Sequence, residues 1–193
     1  MYKFLQILVW PFYRMFHPIK VVGKKNIPKK SKAVLICNHH SNSDIFVLGT
    51  AIFRRQYFLA KKELFKKRGN ARFLKKMGAI PIDRTSNDIS AIKACLKVLK
   101  EGKLLTIFPE GTRNTTDEIL LQIKSGAGLI ALKAGAPIIP MWIEKKSKAF
   151  RRNKLIIGNP VSLDEFAGQK ISSEVLDAVG EKLRQEMLKL KDM

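Results

Sequence analysis

The stretch Asn38-His39-His40-Ser41-Asn42-Ser43-Asp44 brings two imidazoles and a carboxylate into seven residues. It follows the apolar run Ala33 to Cys37 and leads into a second apolar run from Ile45. Its polar residues therefore belong to a turn between a strand and a helix. Across the first 62 residues Lys and Arg occur 12 times, whereas Asp44 is the only carboxylate. A lone acid five positions after His39, with a turn between them, can fold back onto the ring. Such a contact fixes the tautomer and leaves the other ring nitrogen as a base. A histidine base held that way contributes roughly 10²–10⁴-fold to a rate. The competing reading makes His39 and His40 loop residues and Asp44 a helix cap; this segment by itself leaves both open. A metal site on His39, His40 and Asp44 is disfavoured, because His17 is the one remaining histidine.

A base of this kind needs something to deprotonate. The chain has no Gly-x-Ser-x-Gly elbow. Cys37 and Cys95 lie in apolar runs and match no metal or redox spacing, so they read as small core residues. The base would then act on a substrate hydroxyl, and the group transferred would pass directly to that acceptor. Two further strand ends carry polar groups. Asp83 and Arg84 follow Ala79 to Ile82, and Pro109-Glu110-Gly111-Thr112-Arg113 follows Leu104 to Phe108. Pro109 and Gly111 forbid a simple helix and let backbone approach a ligand closely. Arg84, Arg113 and Lys124-Ser125-Gly126, which opens a helix, together suit a phosphate-binding corner. Surface pairing of Asp83 with Arg84 and of Glu110 with Arg113 is the alternative.

The elements that must position these groups alternate along the chain. Strands are expected at Ala33 to Cys37, Gln56 to Ala60, Ala79 to Ile82, Leu104 to Phe108, Ile138 to Trp142 and Leu155 to Ile157. Helices are expected at Ile45 to Ile52, Asp88 to Lys100, Gly126 to Ala134 and Ser173 to Lys191. This order predicts one α/β domain with a mixed, largely buried sheet flanked by helices.

The amino-terminal segment differs in kind. Phe4 to Phe16 is almost entirely large and apolar, bracketed by Lys3 and Arg14. It is shorter than the roughly 20 residues a membrane-spanning helix needs, and Pro11 is expected to break it. Trp and Tyr among aliphatics, with flanking cations, read as a membrane-interface helix over residues 1–17. The alternative is a core helix packed on the domain. The 46% hydrophobic content argues against disorder, and the formal net charge of +21 in 193 residues suits an anionic partner, with a solvated lysine-rich surface as the alternative. Two cysteines and no disulfide framework suit a reducing cytoplasm.

Four blocks resemble, in order and spacing, the family of 1-acylglycerol-3-phosphate (lysophosphatidic acid) and related glycerolipid acyltransferases. They are Asn38 to Asp44, Gly78-Ala79-Ile80-Pro81-Ile82-Asp83-Arg84, Phe108-Pro109-Glu110-Gly111-Thr112-Arg113 and Ala136-Pro137-Ile138-Ile139-Pro140. The resemblance runs from about Val22 to Val161, with Lys61-Lys62-Glu63-Leu64 and Lys124-Ser125-Gly126-Ala127 also similar. It implies a glycerolipid acyltransferase-like fold over residues 18–193. His39 would be the general base and Asp44 its orienting partner. Arg84, Arg113 and Lys61 would hold the acceptor's phosphate, with Glu110 and Gly111 shaping the site.

The implied reaction moves a fatty acyl group from acyl-CoA or acyl-ACP to 1-acylglycerol 3-phosphate, making phosphatidic acid. No cofactor or metal is implied, because the thioester supplies the leaving group. The implied partners are the lysophospholipid acceptor, coenzyme A or acyl carrier protein, and anionic lipids at the cytoplasmic face of the cell membrane. His40 stands where the family usually has Gln, Pro81 replaces an aromatic and Asn114 replaces a Ser, and all three bear on acceptor identity. Other lysolipids or glycerol 3-phosphate are the alternative acceptors. A basic nucleic-acid-binding domain is the reading outside enzymes. Against it, the aromatics gather at the amino terminus instead of interleaving with the lysine runs as stacking platforms.

Overall fold

Central strands form where uncharged aliphatic runs meet turn residues, and this chain supplies several such runs. The computed structural model describes residues 2–83 and 88–193. In chain order it contains α1 (Tyr2–Phe16), β1 (Ile19–Val22), β2 (Ala33–Cys37), α2 (Asp44–Ala51), β3 (Gln56–Lys61), α3 (Arg68–Lys76) and β4 (Ala79–Ile82). These are followed by α4 (Ile89–Lys100), β5 (Leu104–Ile107), α5 (Gly126–Ala134), β6 (Ile138–Ile143), β7 (Asn153–Ile157) and α6 (Ser173–Lys191). One seven-stranded sheet has the order β1-β7-β6-β2-β5-β3-β4. All neighbours are parallel except the antiparallel pair β6 and β7. The expected single α/β domain with a mixed, helix-flanked sheet is present. Two elements were not expected from the sequence: the edge strand β1 and the helix α3.

Alternation along the strands divides the core into two layers. Val34 and Ile36 of β2 join Leu105, Ile107, Ile138 and Ile156 on one face, covered by Leu99 of α4, Ile130 of α5 and Leu183 of α6. Ala33, Leu35 and Cys37 turn the other way with Ile139, Met141 and Ile143, beneath Val47, Leu48 and Ala51 of α2. Each large aliphatic buried this way contributes roughly 1.5–3 kcal/mol. A one-residue slip of β2 would exchange the two sets, so register is tightly specified.

That register also gathers the polar turns. Ile36 pairs with Ile107, Phe58 with Thr106 and Lys61 with Ile82. Because β2, β3, β4 and β5 are mutually parallel, their carboxyl ends share one edge of the sheet. The turns starting at Asn38, Lys62, Asp83 and Phe108 all leave from there, where ligands of open parallel sheets bind.

Helix α1 continues through Pro11, contrary to the expected break. The proline forfeits one hydrogen bond and crowds the preceding turn. Packing on both sides of it holds the helix together. Before it, Gln6 Nε2 donates to Gly49 O (2.6 Å) and Ile52 O (2.9 Å). After it, the Tyr13 ring stacks on Phe46 at 5.8 Å. The helix is inverted: its one buried residue is Gln6, while Phe4, Ile7, Phe12 and Met15 are each at least 60% exposed. Among the described residues no helix is long and apolar enough to cross a membrane.

Candidate active site

His39 leaves the end of β2 and Asp44 is the first residue of α2. The turn between them brings His39 Nδ1 to 2.9 Å from Asp44 Oδ2. The same oxygen accepts the His40 N–H (2.7 Å) and the Ser41 N–H (2.8 Å), and Oδ1 accepts the Ser41 hydroxyl (3.1 Å). Asp44 is fully buried, so these donors satisfy its carboxylate in place of water. Its backbone partners precede the helix, which distinguishes it from an ordinary cap, whose partners lie in the first turn. Asp44 also sits at the positive end of the α2 dipole, which favours its negative charge. With Nδ1–H donating to Asp44, Nε2 of His39 keeps its lone pair.

The ring is fixed from a second direction. Phe108, following β5, stacks on His39 with centroids 4.0 Å apart and planes 16° from parallel. Glu110 binds the His39 N–H through Oε1 (2.7 Å) and the Leu121 N–H through Oε2 (3.1 Å), and His39 O accepts from Asn114 N (2.8 Å). Burial raises the Glu110 carboxyl above its ordinary pKa, and the two N–H donors partly offset that rise. Glu110 thus braces the two turns, and among the described residues it makes no ion pair with Arg113. Asn38 ties the same turn to β6, exchanging hydrogen bonds of 2.8 and 2.9 Å with the backbone of Ile143.

Gly111 has φ +69°, and a Cβ there would lie 2.8 Å from Cδ and Cε of Lys124. The glycine therefore admits the Lys124 side chain across the turn. Lys61, at the end of β3, and Arg113, in the turn after Glu110, are both exposed. Arg84 lies outside the described residues. Cys37 and Cys95 are both buried. Burial pushes the Cys37 thiol well up, aided by the charges of Asp44 and Glu110, and pushes Cys95 up to about 12, so neither is poised as a nucleophile.

Beside the histidine opens an apolar channel of about 320 Å³. Phe108, Asn42 and Phe46 line it near the site. Leu5, Gln6 and Val9 of α1 and Phe73 and Leu74 of α3 line its sides, and Gly49, Gln56, Phe58 and Thr106 also face it. Gln56 is kept in place by Thr106 Oγ1, which donates to its Oε1 (2.9 Å), and by its own bond to Leu48 O (3.1 Å). The sequence did not reveal which residues line this channel, nor that Phe108 and Asn38 are parts of the site. An aromatic closing a strand immediately before Pro109-Glu110-Gly111 was the available signal for Phe108.

A mixed sheet with a buried imidazole–carboxylate pair at the carboxyl ends of its parallel strands defines the class: an α/β enzyme. The sequence model of the family described as Acyltransferase matches residues 18–144. The 1-acyl-sn-glycerol-3-phosphate acyltransferase of Bacillus subtilis is 37% identical over 198 residues, covering 100% of this chain and 98% of its own length. The protein of the same name from Streptococcus pneumoniae is 31% identical over 164 residues, covering 81% of this chain and 60% of its own. Among solved structures, the 1-acyl-sn-glycerophosphate (LPA) acyltransferase PlsC from Thermotoga maritima matches with a TM-score of 0.72 and 25% identity, over 98% of this chain and 77% of that one. The chain belongs to the acyltransferase family, as the four motif blocks implied.

Proposed function

We propose that the chain transfers a fatty acyl group from a thioester of coenzyme A or acyl carrier protein to the free hydroxyl of 1-acylglycerol 3-phosphate, yielding phosphatidic acid. The observation that carries this reading is a histidine aimed by a buried carboxylate, one aromatic ring away from an apolar channel. The names of the relatives support the choice of acceptor.

In this reading Nε2 of His39 takes the proton from the acceptor hydroxyl as its oxygen attacks the thioester carbonyl. The tetrahedral adduct then collapses, the C–S bond breaks, and the imidazolium passes its proton to the departing sulfur, which leaves as the thiol and restores the neutral base. Asp44 holds the ring and stabilises its transient positive charge. The channel takes an acyl chain. Arg113 and Lys61, cations on the same sheet edge as His39, receive the phosphate, and Arg84, outside the described residues, is the third cation assigned to it. Glu110 and Gly111 keep the turns in register around it.

Helix α1 serves in this reading as an interface helix on the cytoplasmic leaflet. A helix that buries a glutamine and exposes phenylalanines is stabilised by acyl chains against its outer face. Since α1 also lines the channel, lipid would enter directly from the bilayer.

The test is His39→Ala, assayed with lysophosphatidic acid and acyl thioesters by thiol release, with the product identified by mass spectrometry. Turnover should vanish while the thermal midpoint stays near that of the wild type. Normal turnover in His39→Ala would overturn the mechanism. A panel of acceptors lacking the phosphate tests the acceptor, since only a phosphate-reading site discriminates against them.

A further inference from the structure

The loop from Lys145 to Arg152, between β6 and β7, belongs to no part of the site described above. It carries Lys145, Lys146, Lys148, Arg151 and Arg152, with no acid among its eight residues. All five cations are exposed, and Lys145 also pairs with Glu144 at 2.8 Å. At its tip Phe150 is 76% exposed, more than any other large apolar residue described. Phe150 is also the one described non-glycine residue with a left-handed backbone, at φ 58°. Bulky side chains rarely adopt that conformation, and a free surface turn would favour Gly or Asn there. A strained, exposed aromatic ringed by cations points to a contact outside the protein.

The loop is fastened to the carboxyl end of α1. The Phe150 N–H donates to Phe16 O (2.6 Å), and the Phe16 and Phe150 rings meet edge to face at 5.4 Å. Ser147 Oγ lies 3.1 Å from His17 Nδ1 and 3.4 Å from the Tyr13 hydroxyl. Phe150 therefore continues the exposed apolar row of Phe12, Met15 and Phe16 beyond the end of the helix.

We propose that residues 145–152 form a second membrane-docking element, which inserts Phe150 into an anionic leaflet beside α1 and lays its cations on the headgroups. The inference rests on the reading of α1 as an interface helix and adds what that helix alone lacks. A single helix lying on a bilayer is free to roll about its axis. A second point of attachment, offset from that axis and rigidly bonded to it, fixes the roll. The fixed roll turns the side of the channel lined by α1 and α3 toward lipid. Bilayer surface is favoured over nucleic acid or protein as the occupant because the aromatic and the cations extend an existing apolar row. They do not line a groove.

The test compares the wild type, Phe150→Gly, R151Q/R152Q and F4S/F12S in flotation with vesicles of phosphatidylcholine alone or mixed with phosphatidylglycerol. Phe150→Gly removes the ring and suits the backbone, so it should bind mixed vesicles roughly tenfold more weakly with an unchanged or raised thermal midpoint. Phe150→Asn, which also tolerates the left-handed conformation, should behave alike. R151Q/R152Q should lose roughly tenfold or more on mixed vesicles and nothing on neutral ones. Wild-type vesicle binding by Phe150→Gly and Phe150→Asn would overturn the proposal; if F4S/F12S is then released, the α1 reading survives it. If F4S/F12S also binds as wild type, both readings fall. A lowered midpoint in both Phe150 variants would make the ring a structural support and would equally overturn the proposal.

Discussion

Replacing Asp44 by Asn separates the two tasks of this carboxylate, aiming an imidazole and satisfying the half-buried amides of the turn. Four donors meet it: His39 Nδ1, the N–H groups of His40 and Ser41, and the Ser41 hydroxyl. In Asp44→Asn the amide oxygen can take the Oδ2 position and keep its three donors, while the new NH2 faces the rotatable Ser41 hydroxyl. The fold should then lose only the charge-assisted part of these bonds, about 1–2 kcal/mol. Asp44→Ala instead leaves the half-buried His40 and Ser41 N–H groups without this acceptor, at up to about 1–3 kcal/mol each, a large share of a typical total of about 5–15 kcal/mol. Catalysis should order the variants differently. A neutral amide holds the ring but cannot stabilise the imidazolium, so turnover in Asp44→Asn should fall by about 10²–10⁴-fold, or about 3–5 kcal/mol of barrier. Thiol release gives the rate and differential scanning fluorimetry the midpoint. Asp44→Asn turning over within a factor of about ten of wild type would refute the orienting role. Equal midpoints for the two variants would refute the buried-acceptor argument.

Other perturbations test separate parts of the framework. Gly49 sits in α2, lines the channel, and has nothing within 4 Å of where a Cβ would stand. Gly49→Met should therefore raise the thermal midpoint, since helical glycine costs about 0.8–1 kcal/mol, while cutting turnover of long-chain thioesters more than short ones; uniform turnover across chain lengths would disprove the channel assignment. Gly111→Ala should lower the midpoint by about 2–8 °C, from the cost of a left-handed alanine, and reduce turnover as Lys124 is displaced. Asp88 caps α4 through the Ala91 N–H (3.0 Å), and its carboxyl is held down to about 2, chiefly by the Asp83 N–H, then by Ser90 and the Ala91 N–H. Because the folded pKa lies below the unfolded value of 3.8, this stabilisation is present above about pH 4 and lost as pH falls through about 2. Asp88→Ala should cost about 1 kcal/mol at neutral pH, and acid melts should show the gap to wild type closing.

Much of the framework was legible because its signals are local. Ala33–Cys37 and Gly126–Ala134 are bounded by sharp changes from apolar to polar or by a terminal glycine, and the structure keeps those limits. Strand β1 was invisible for a physical reason: Ile-Lys-Val-Val is four residues long, and its pairing with β7 joins Ile19 to Asn153 across the chain. Helix α3 escaped because six of its nine residues are Arg, Gly, Asn or Lys and none is buried, so its role shows only where Phe73 and Leu74 meet the channel. The His39–Asp44 contact was readable from spacing. The Glu110 brace was not, because it depends on the lateral pairing of β2 with β5.

The stacking of Phe108 on His39 bears on how such an enzyme can be redesigned. One ring serves as both the wall of the channel and the backing of the imidazole. Widening or narrowing the cavity at that wall would shift the imidazole as well, so selectivity and rate would change together. Gly49 lies on a different element, and neither ring of the pair comes within 4 Å of where its Cβ would stand. In the proposed reading, chain-length preference can therefore be retuned at Gly49 while the stacked pair is left as it is.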